Sequence, residues 1–276
     1  MAYSRTQYTY NGLVINDQTT DTTQFVLMDS DAIADTVVDN VEDILPTDPG
    51  IVDYGSKLGK GLFAFPLQLF ATTEAKMRAL SQEVKAAFNP DLAEADATYG
   101  ESTDYGGYLP FTWTETQDAT EIDFRMWLKP VETPRIQIDS LSGLIIPTKV
   151  TLKARDPRKY SQTQSTRAGA GAAVNNGDYP TNVVITLTAT GTTPTTLSIN
   201  NTTTGKSIYI TTALANGEVL TIDTRLHSAK LGSTETRSYI GSSSTWWTLQ
   251  PGSNTITLTD ATNVTASFAW YDAWTI

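Results

Sequence analysis

Ile122-Asp123-Phe124-Arg125-Met126-Trp127-Leu128-Lys129 sets Ile122, Phe124, Met126 and Leu128 against Asp123, Arg125, Trp127 and Lys129 with a period of two. That period is the signature of a strand with one face buried. The same reading extends outward in both directions. Phe63, Phe65, Leu67 and Leu69 alternate with Ala64, Pro66 and Gln68, and Val150, Leu152 and Ala154 alternate with Thr151, Lys153 and Arg155. Pro66 lacks a backbone N–H, so its run is expected to be an edge strand or a bent one.

One segment between these strands breaks the period. Met77, Leu80, Val84 and Phe88 recur at helical spacing, Thr73 suits an N-cap, Glu74 suits the positive end, and Asn89-Pro90 ends the run. The stripe predicts a helix laid on a sheet. Ile33, Val37, Val41, Ile44 and Leu45 also have helical spacing, but the β-branched residues leave that stretch open between helix and strand.

Two segments read as connections, 89–110, which is acidic and contains Gly106-Gly107, and 156–180, with its Ala-Gly-Ala-Gly-Ala-Ala run and Asn175-Asn176-Gly177. The second is the better boundary. The expected organisation is a first domain over 1–156, a linker over 157–180 and a second domain over 181–276, with the final strand 267–276 apolar enough to return to the first domain. The first domain combines a sheet with one long helix and is α+β in detail. After Pro180 the chain turns to short Thr-rich strands: Val183, Ile185 and Leu187; Leu197 and Ile199; Ile208 and Ile210; Leu220 and Ile222; Ile256 and Leu258. Turn signals at Thr204-Gly205, Asn216-Gly217 and Pro251-Gly252 separate them, and the chain ends on Phe268, Trp270, Asp272, Trp274 and Ile276. This is the pattern of a β-sandwich. The fold class is mainly β.

Composition narrows the function. At 276 residues, with 39% apolar and 9% aromatic content, the chain can build two cores. Nineteen Lys and Arg against thirty Asp and Glu give a formal charge of −11, a field that repels phosphate backbones. No basic residue falls between Arg5 and Lys57, whereas Asp17, Asp21, Asp29, Asp31, Asp35, Asp39, Glu42, Asp43, Asp48 and Asp53 do. A solvated face or a charged contact in an assembly is the expectation for this segment. The absence of cysteine removes disulfides, thiolate nucleophiles and sulfur metal ligands together. Met1–Tyr10 is polar, and no stretch approaches the roughly 18 apolar residues of a membrane span, so neither signal-peptide export nor membrane insertion is expected.

Catalytic chemistry finds little to work with. His227 is the sole histidine, sits between Leu226 and Ser228, and has no G-x-S-x-G elbow to serve, so it reads as a surface or interface residue. One His and no Cys exclude the usual zinc and iron sets. Asp29-Ser30-Asp31 has the first spacing of a calcium loop without its Gly turn or terminal Glu. Gly55, Gly59 and Gly61 lack the spacing of a phosphate cradle and read as a loop. No catalytic, cofactor-binding or metal residue is assigned. Trp246 and Trp247 are the candidate sugar or partner contacts, because neighbouring aromatics on an extended chain face opposite ways and one can offer a flat stacking surface while the other fills the core.

The order of these features resembles the siphophage distal tail proteins, the Dit family, over most of the chain. Tyr10-Asn11-Gly12 is similar to the family's aromatic-Asn-Gly opening, and the strand, long helix, strand order from Phe63 to Ala154 is similar to its ring-forming domain. That domain closes on a strand running into Asp-Pro and Tyr, here Ala154-Arg155-Asp156-Pro157-Arg158-Lys159-Tyr160. Asn200-Asn201-Thr202-Thr203-Thr204-Gly205-Lys206, then Gly217-Glu218-Val219-Leu220-Thr221-Ile222-Asp223, then Trp246-Trp247-Thr248-Leu249-Gln250-Pro251-Gly252-Ser253-Asn254 before an aromatic last strand, look like its C-terminal domain. The acidic segment 17–53 and the loop 89–110 have no counterpart in that pattern.

The resemblance implies a structural virion protein, assembled in the host cytoplasm, forming a homo-hexameric ring at the distal end of a phage tail. It implies a galectin-like or carbohydrate-module-like second domain, no enzyme activity and no cofactor. The implied partners are the tail tube protein, the tail hub or tape-measure protein, and fibre or receptor-binding proteins, with DNA passing through the lumen without specific binding. An acidic lumen would let DNA slide by like-charge repulsion. Two other readings compete: a carbohydrate-binding adhesion module using Trp246 or Trp247, and a glycoside hydrolase, which needs two carboxylates about 5 to 10 Å apart in a cleft.

Overall fold

The computed structural model describes residues 6–17, 23–28, 38–44, 51–58, 61–91, 108–117, 120–138, 144–154, 156 and 158–275. The Asp29-Ser30-Asp31 stretch, Gly59 and most of the 89–110 connection lie outside the described residues. The chain divides into two compact units, residues 1–159 and 160–275.

The first unit opens on a hairpin, β1 (Tyr8–Tyr10) and β2 (Leu13–Ile15), joined by Asn11-Gly12. Both turn residues have positive φ, +46° and +79°, the left-handed pair that a two-residue turn requires and that Asn and Gly adopt at least cost. β3 (Gln24–Met28), β4 (Val38–Ile44), β5 (Ile51–Leu58) and β6 (Gly61–Ala71) follow, then α1 (Glu74–Ala87), β7 (Leu109–Gln117), β8 (Thr120–Pro130) and β9 (Ile145–Ala154). The principal sheet runs β2-β1-β7-β8-β9-β6-β3, all antiparallel, while β4 and β5 pair with each other.

Two expectations change here, and one left open is resolved. Of the β-branched stretch left open between helix and strand, the described residues Val38–Ile44 form strand β4, while Ile33, Val37 and Leu45 lie outside the described residues. The glycine segment read as a loop is instead strand at two points, since Gly55 lies within β5 and Gly61 begins β6. The Pro66 strand is internal, flanked by β9 and β3. Proline is tolerated there because β3 pairs only from Met28↔Leu67 onward, so Pro66 sits where β6 has β9 alone as a described partner.

The ends of the sheet meet at Asn16. Its N–H donates to Val26 O at 2.8 Å, its Oδ1 accepts from Met28 N at 2.7 Å, and its Nδ2 donates to Thr6 O at 2.9 Å. One buried asparagine thus links the rim of β2 to β3 and covers two open strand edges. The helix forms as its pattern predicts: Thr73 caps it by accepting from Lys76 N, and Met77, Leu80 and Val84 turn inward. α1 packs against β6, β3 and β2, and Phe88 stacks on Tyr10 at 5.1 Å. Phe63, Phe65, Phe111, Trp113 and Phe124 fill the interior. Burying each such side chain stabilises the fold by about 1.5–3 kcal/mol. Strand β8 departs from simple alternation, because Trp127 and Lys129 are buried along with Phe124, Met126 and Leu128.

The second unit contains β10 (Lys159–Ser161, from its second residue on), β11 (Ser165–Ala168), β12 (Gly171–Asn175), β13 (Val184–Ala189), β14 (Ser198–Asn201), β15 (Lys206–Tyr209), β16 (Val219–Asp223), β17 (Ser228–Leu231), β18 (Thr234–Glu235), β19 (Gly252–Thr259), β20 (Val264–Trp270) and β21 (Ala273–Trp274). Two sheets, β11-β20-β13-β16-β17-β18 and β12-β19-β14-β15, share one core that includes Ile185, Leu187, Ile199, Ile222, Trp247 and Phe268. The arrangement is consistent with a β-sandwich.

The segment 157–180, read as a linker, therefore holds three strands. Small residues conceal β12 in particular: Ala173 and Asn175 face inward, and its one large apolar side chain, Val174, faces outward. The terminal alternation is likewise two strands, β20 and β21, with Asp272 between them. Asp272 is buried, accepting from Trp270 Nε1 at 3.0 Å and Asn176 Nδ2 at 2.8 Å.

Candidate functional site

The two tryptophans singled out by the sequence part company in the second unit. Trp247 is in the core at 1% exposure, whereas Trp246 is half-buried. Their segment follows a short 3₁₀ turn, Arg237–Tyr239, and is held against the outer edge of β15. Gly241 N donates to Tyr209 O at 2.8 Å, Thr245 N to Ser207 O at 2.8 Å, and Ser207 N to Thr245 Oγ1 at 3.0 Å. That strap fixes which way the two indoles point.

A second element approaches Trp246 from the β16–β17 turn. Asp223 Oδ1 accepts from Arg225 N at 2.7 Å and Leu226 N at 3.1 Å, closing the turn. His227 then takes a φ of +52°, uncommon for a residue with a side chain. In that conformation its ring stacks on Trp246 with centroids 4.8 Å apart and planes 18° from parallel. Arg237 places its Cζ 4.9 Å from the centre of the same indole. Three elements, the turn, the 3₁₀ segment and the strap, bring His227, Arg237 and Trp246 together. Sequence reasoning found Trp246 and treated His227 separately. It missed Arg237, which lies nine positions before Trp246 and reaches it only across a loop.

The electrostatics of the cluster are one-sided. Among the described residues, neither Arg237 nor His227 has a carboxylate partner, and Trp246 Nε1 has no acceptor. Other donors are engaged: Lys230 Nζ pairs with Glu235 at 3.3 Å, Arg167 donates to Ala170 O at 2.6 Å, and Trp270 Nε1 donates to Val174 O at 3.2 Å. The second unit balances Arg167, Lys206, Arg225, Lys230 and Arg237 against Asp178, Glu218, Asp223, Glu235, Asp260 and Asp272, so the acidic excess of the chain belongs to the first unit.

The Trp-Leu-Pro-Gly-Asn register has a clear physical basis. Gly252 has a φ of +83°, and Asn254, fully buried, accepts from Gln250 N at 2.9 Å and donates to Gln250 O at 2.8 Å and Gly252 O at 3.1 Å. A neighbouring buried asparagine, Asn201, accepts from Thr203 N at 3.1 Å and Thr204 N at 3.3 Å to close the next turn. These asparagines shape the scaffold below the Trp246 cluster. No group of three or more His, Cys, Asp or Glu that could hold a metal occurs among the described residues, and no helix there is long and apolar enough to cross a membrane.

Comparison with known proteins agrees with this architecture. Residues 176–274 match the family described as siphovirus-type tail component, C-terminal domain. The whole chain resembles the crystal structure of the Dit protein of phage SPP1, described as a paradigm of the hub adsorption apparatus in phages infecting Gram-positive hosts. That match has a TM-score of 0.64 at 12% identity and covers 97% of this chain and 98% of that one. A chain of the phage P2 baseplate in its activated conformation with Ca matches at a TM-score of 0.44 and 10% identity, covering 98% of each. No curated protein sequence matches.

Proposed function

We propose, from the premise that residues 176–274 belong to the siphovirus-type tail component family as its C-terminal domain, that the protein is a structural component of a phage virion that joins the tail tube to the tail tip or baseplate. The observation that carries this reading is the family match, which spans nearly the whole second unit and includes the Trp246 to Asn254 register. The fold likeness to SPP1 Dit, over almost the full length of both chains, extends the same architecture to the first unit. The chain acts as a connector and not as an enzyme.

In finer terms, we propose a homo-hexameric ring with a galectin-like second domain on each subunit. One face of the ring meets the tail tube protein, and the other meets the hub or tape-measure protein and the fibre or receptor-binding proteins. DNA passes the lumen without specific binding. The acidic first unit supports that passage, because a negative surface repels the phosphate backbone. The work of such a ring is geometric: closed symmetry makes every subunit interface the same and leaves no end to grow from.

Light scattering on the purified protein, with negative-stain images of the same fraction, tests the proposal. Six-fold rings, alone or on adding the tail tube protein, are expected. A monomer that joins no ring with any tail partner would overturn it.

A further inference from the structure

We infer that Trp246, Arg237 and His227 form a recognition site for an acidic sugar, one carrying a phosphate or carboxylate group. The reasoning starts from donors. The Arg237 guanidinium offers a planar fork of N–H groups, His227 a ring N–H, and Trp246 its Nε1–H, and none meets an acceptor among the described residues. Elsewhere in the same unit the Lys230 ammonium pairs with Glu235 and the Trp270 indole N–H donates to Val174 O, both within the fold. A set of donors without acceptors selects a ligand rich in acceptors, and an Arg fork favours a planar or tetrahedral oxyanion that it can hold at two points.

The placement is built rather than incidental. His227 occupies a left-handed backbone conformation that brings its ring onto Trp246 at 4.8 Å, and Arg237 holds station over the same indole at 4.9 Å. Packing of both groups on one indole restricts their rotamers before any ligand arrives, which lowers the ordering cost of binding. Arg237 and His227 are exposed and Trp246 half-buried, so the donors face solvent.

The surroundings favour a sugar over a protein partner. Ser242 and Ser243 lie exposed on the strap just before Trp246, giving hydroxyls for the polar edge of a saccharide. Leu226 is the large exposed apolar residue next to His227, and one such side chain falls far short of the roughly 1,000 Å² that a stable protein interface buries. The inference concerns single subunits and stands whether or not they close into a ring.

The sole histidine makes the test specific, since the imidazole signals of the chain come from His227 alone. Full-length protein labelled at histidine is titrated with glucose 1-phosphate, a glucuronate-containing disaccharide, glucose, inorganic phosphate and an oligoglutamate peptide, with calorimetry giving affinities. Expected are saturable shifts of the His227 signals with at least one acidic sugar, no shift with glucose, and weaker binding of inorganic phosphate. Arg237→Gln and Trp246→Ala should each weaken the acidic sugar at least tenfold. Arg237→Lys, which keeps the charge and loses the fork, should weaken it less than Arg237→Gln. An unchanged denaturant midpoint in the variants attributes the loss to the site. The inference is overturned if neither acidic sugar binds saturably, if Arg237→Gln leaves affinity unchanged, or if oligoglutamate or inorganic phosphate binds as tightly as the sugars.

Discussion

Gly177 lies so close to Ala273 that a Cβ added to it would fall 1.8 Å from the Ala273 carbonyl oxygen and 2.5 Å from its carbonyl carbon. The approach is fastened on either side: Tyr179 N donates to Ala273 O at 3.0 Å, and Asn175 Oδ1 accepts from Gly177 N at 3.1 Å. Backbone, unlike a long side chain, cannot swing aside. Gly177→Ala is therefore expected to destabilise the second unit by about 3 kcal/mol, at the upper end of overpacking effects. Urea unfolding followed by tryptophan fluorescence reads this directly, and a midpoint equal to wild type would show that β21 does not need its present position.

Asn16 provides a test of sheet closure in the first unit. Asn16→Ala removes the acceptor for Met28 N, a buried donor, and the donor to Thr6 O, and it places alanine at a φ of +66°. Leaving a buried N–H unpaired costs about 1–3 kcal/mol. Asn16→Gly relieves the backbone but restores neither bond, so it should recover only part of the loss. Hydrogen exchange at Met28 should accelerate in both variants.

Tyr10 makes stability fall at alkaline pH. Its buried hydroxyl donates to Leu128 O at 3.2 Å, and burial pushes its pKa well above the ordinary tyrosine value of about 10. Below about pH 10 both folded and unfolded chains keep the proton, and the contribution is whole. Above it the unfolded chain releases the proton while the folded chain retains it, so the unfolded state gains and stability drops as pH rises. Tyr10→Phe should lower stability near neutrality by about 1 kcal/mol through the lost hydrogen bond, yet show a shallower decline between pH 9 and 11 than wild type. Denaturant midpoints across that range decide it, and parallel declines in the two proteins would remove Tyr10 as the cause.

Trp246 and Trp247, adjacent in sequence, should respond oppositely to truncation. Trp247→Ala empties part of the sandwich core and is expected to cost about 3–5 kcal/mol. Trp246→Ala removes a half-buried ring and should cost no more than about 1 kcal/mol while disturbing the His227 environment. Trp247→Phe adds a finer point: the Trp247 Nε1 is buried with no hydrogen-bond partner, so losing the indole N–H offsets part of the lost volume.

What the sequence disclosed and what it hid divides along physical lines. Strands such as β6, whose alternate residues are Phe63, Phe65, Leu67 and Leu69, declare themselves because each inward position carries a large apolar group. The capped helix and the turns at Gly205, Gly217 and Gly252 were legible for the same local reason, each rule acting within a few residues. Strand β12, inside 157–180, was not, because it is held by backbone pairing and buried Asn175, with Ala173 supplying almost no hydrophobic contrast. Gly55 was read as loop because it lies where the β4–β5 register shifts, and a glycine at such an irregularity looks like a glycine in a loop until the partner strand is known. The Trp246 cluster shows the limit most sharply. Trp246 was named from its residue type, but the Arg237 and His227 contacts depend on how two loops meet in space.

The strap along β15 bears on the life of the protein before it is built into anything larger. At high concentration any spare row of backbone donors and acceptors on a strand edge is a template for runaway fibre growth. With Tyr209 O and Ser207 O already occupied by Gly241 and Thr245, newcomers find no template on that flank. A stockpile of subunits can then stay dispersed until the proper contacts arrive, and loosening the 241–245 segment should show first as lower soluble yield during expression.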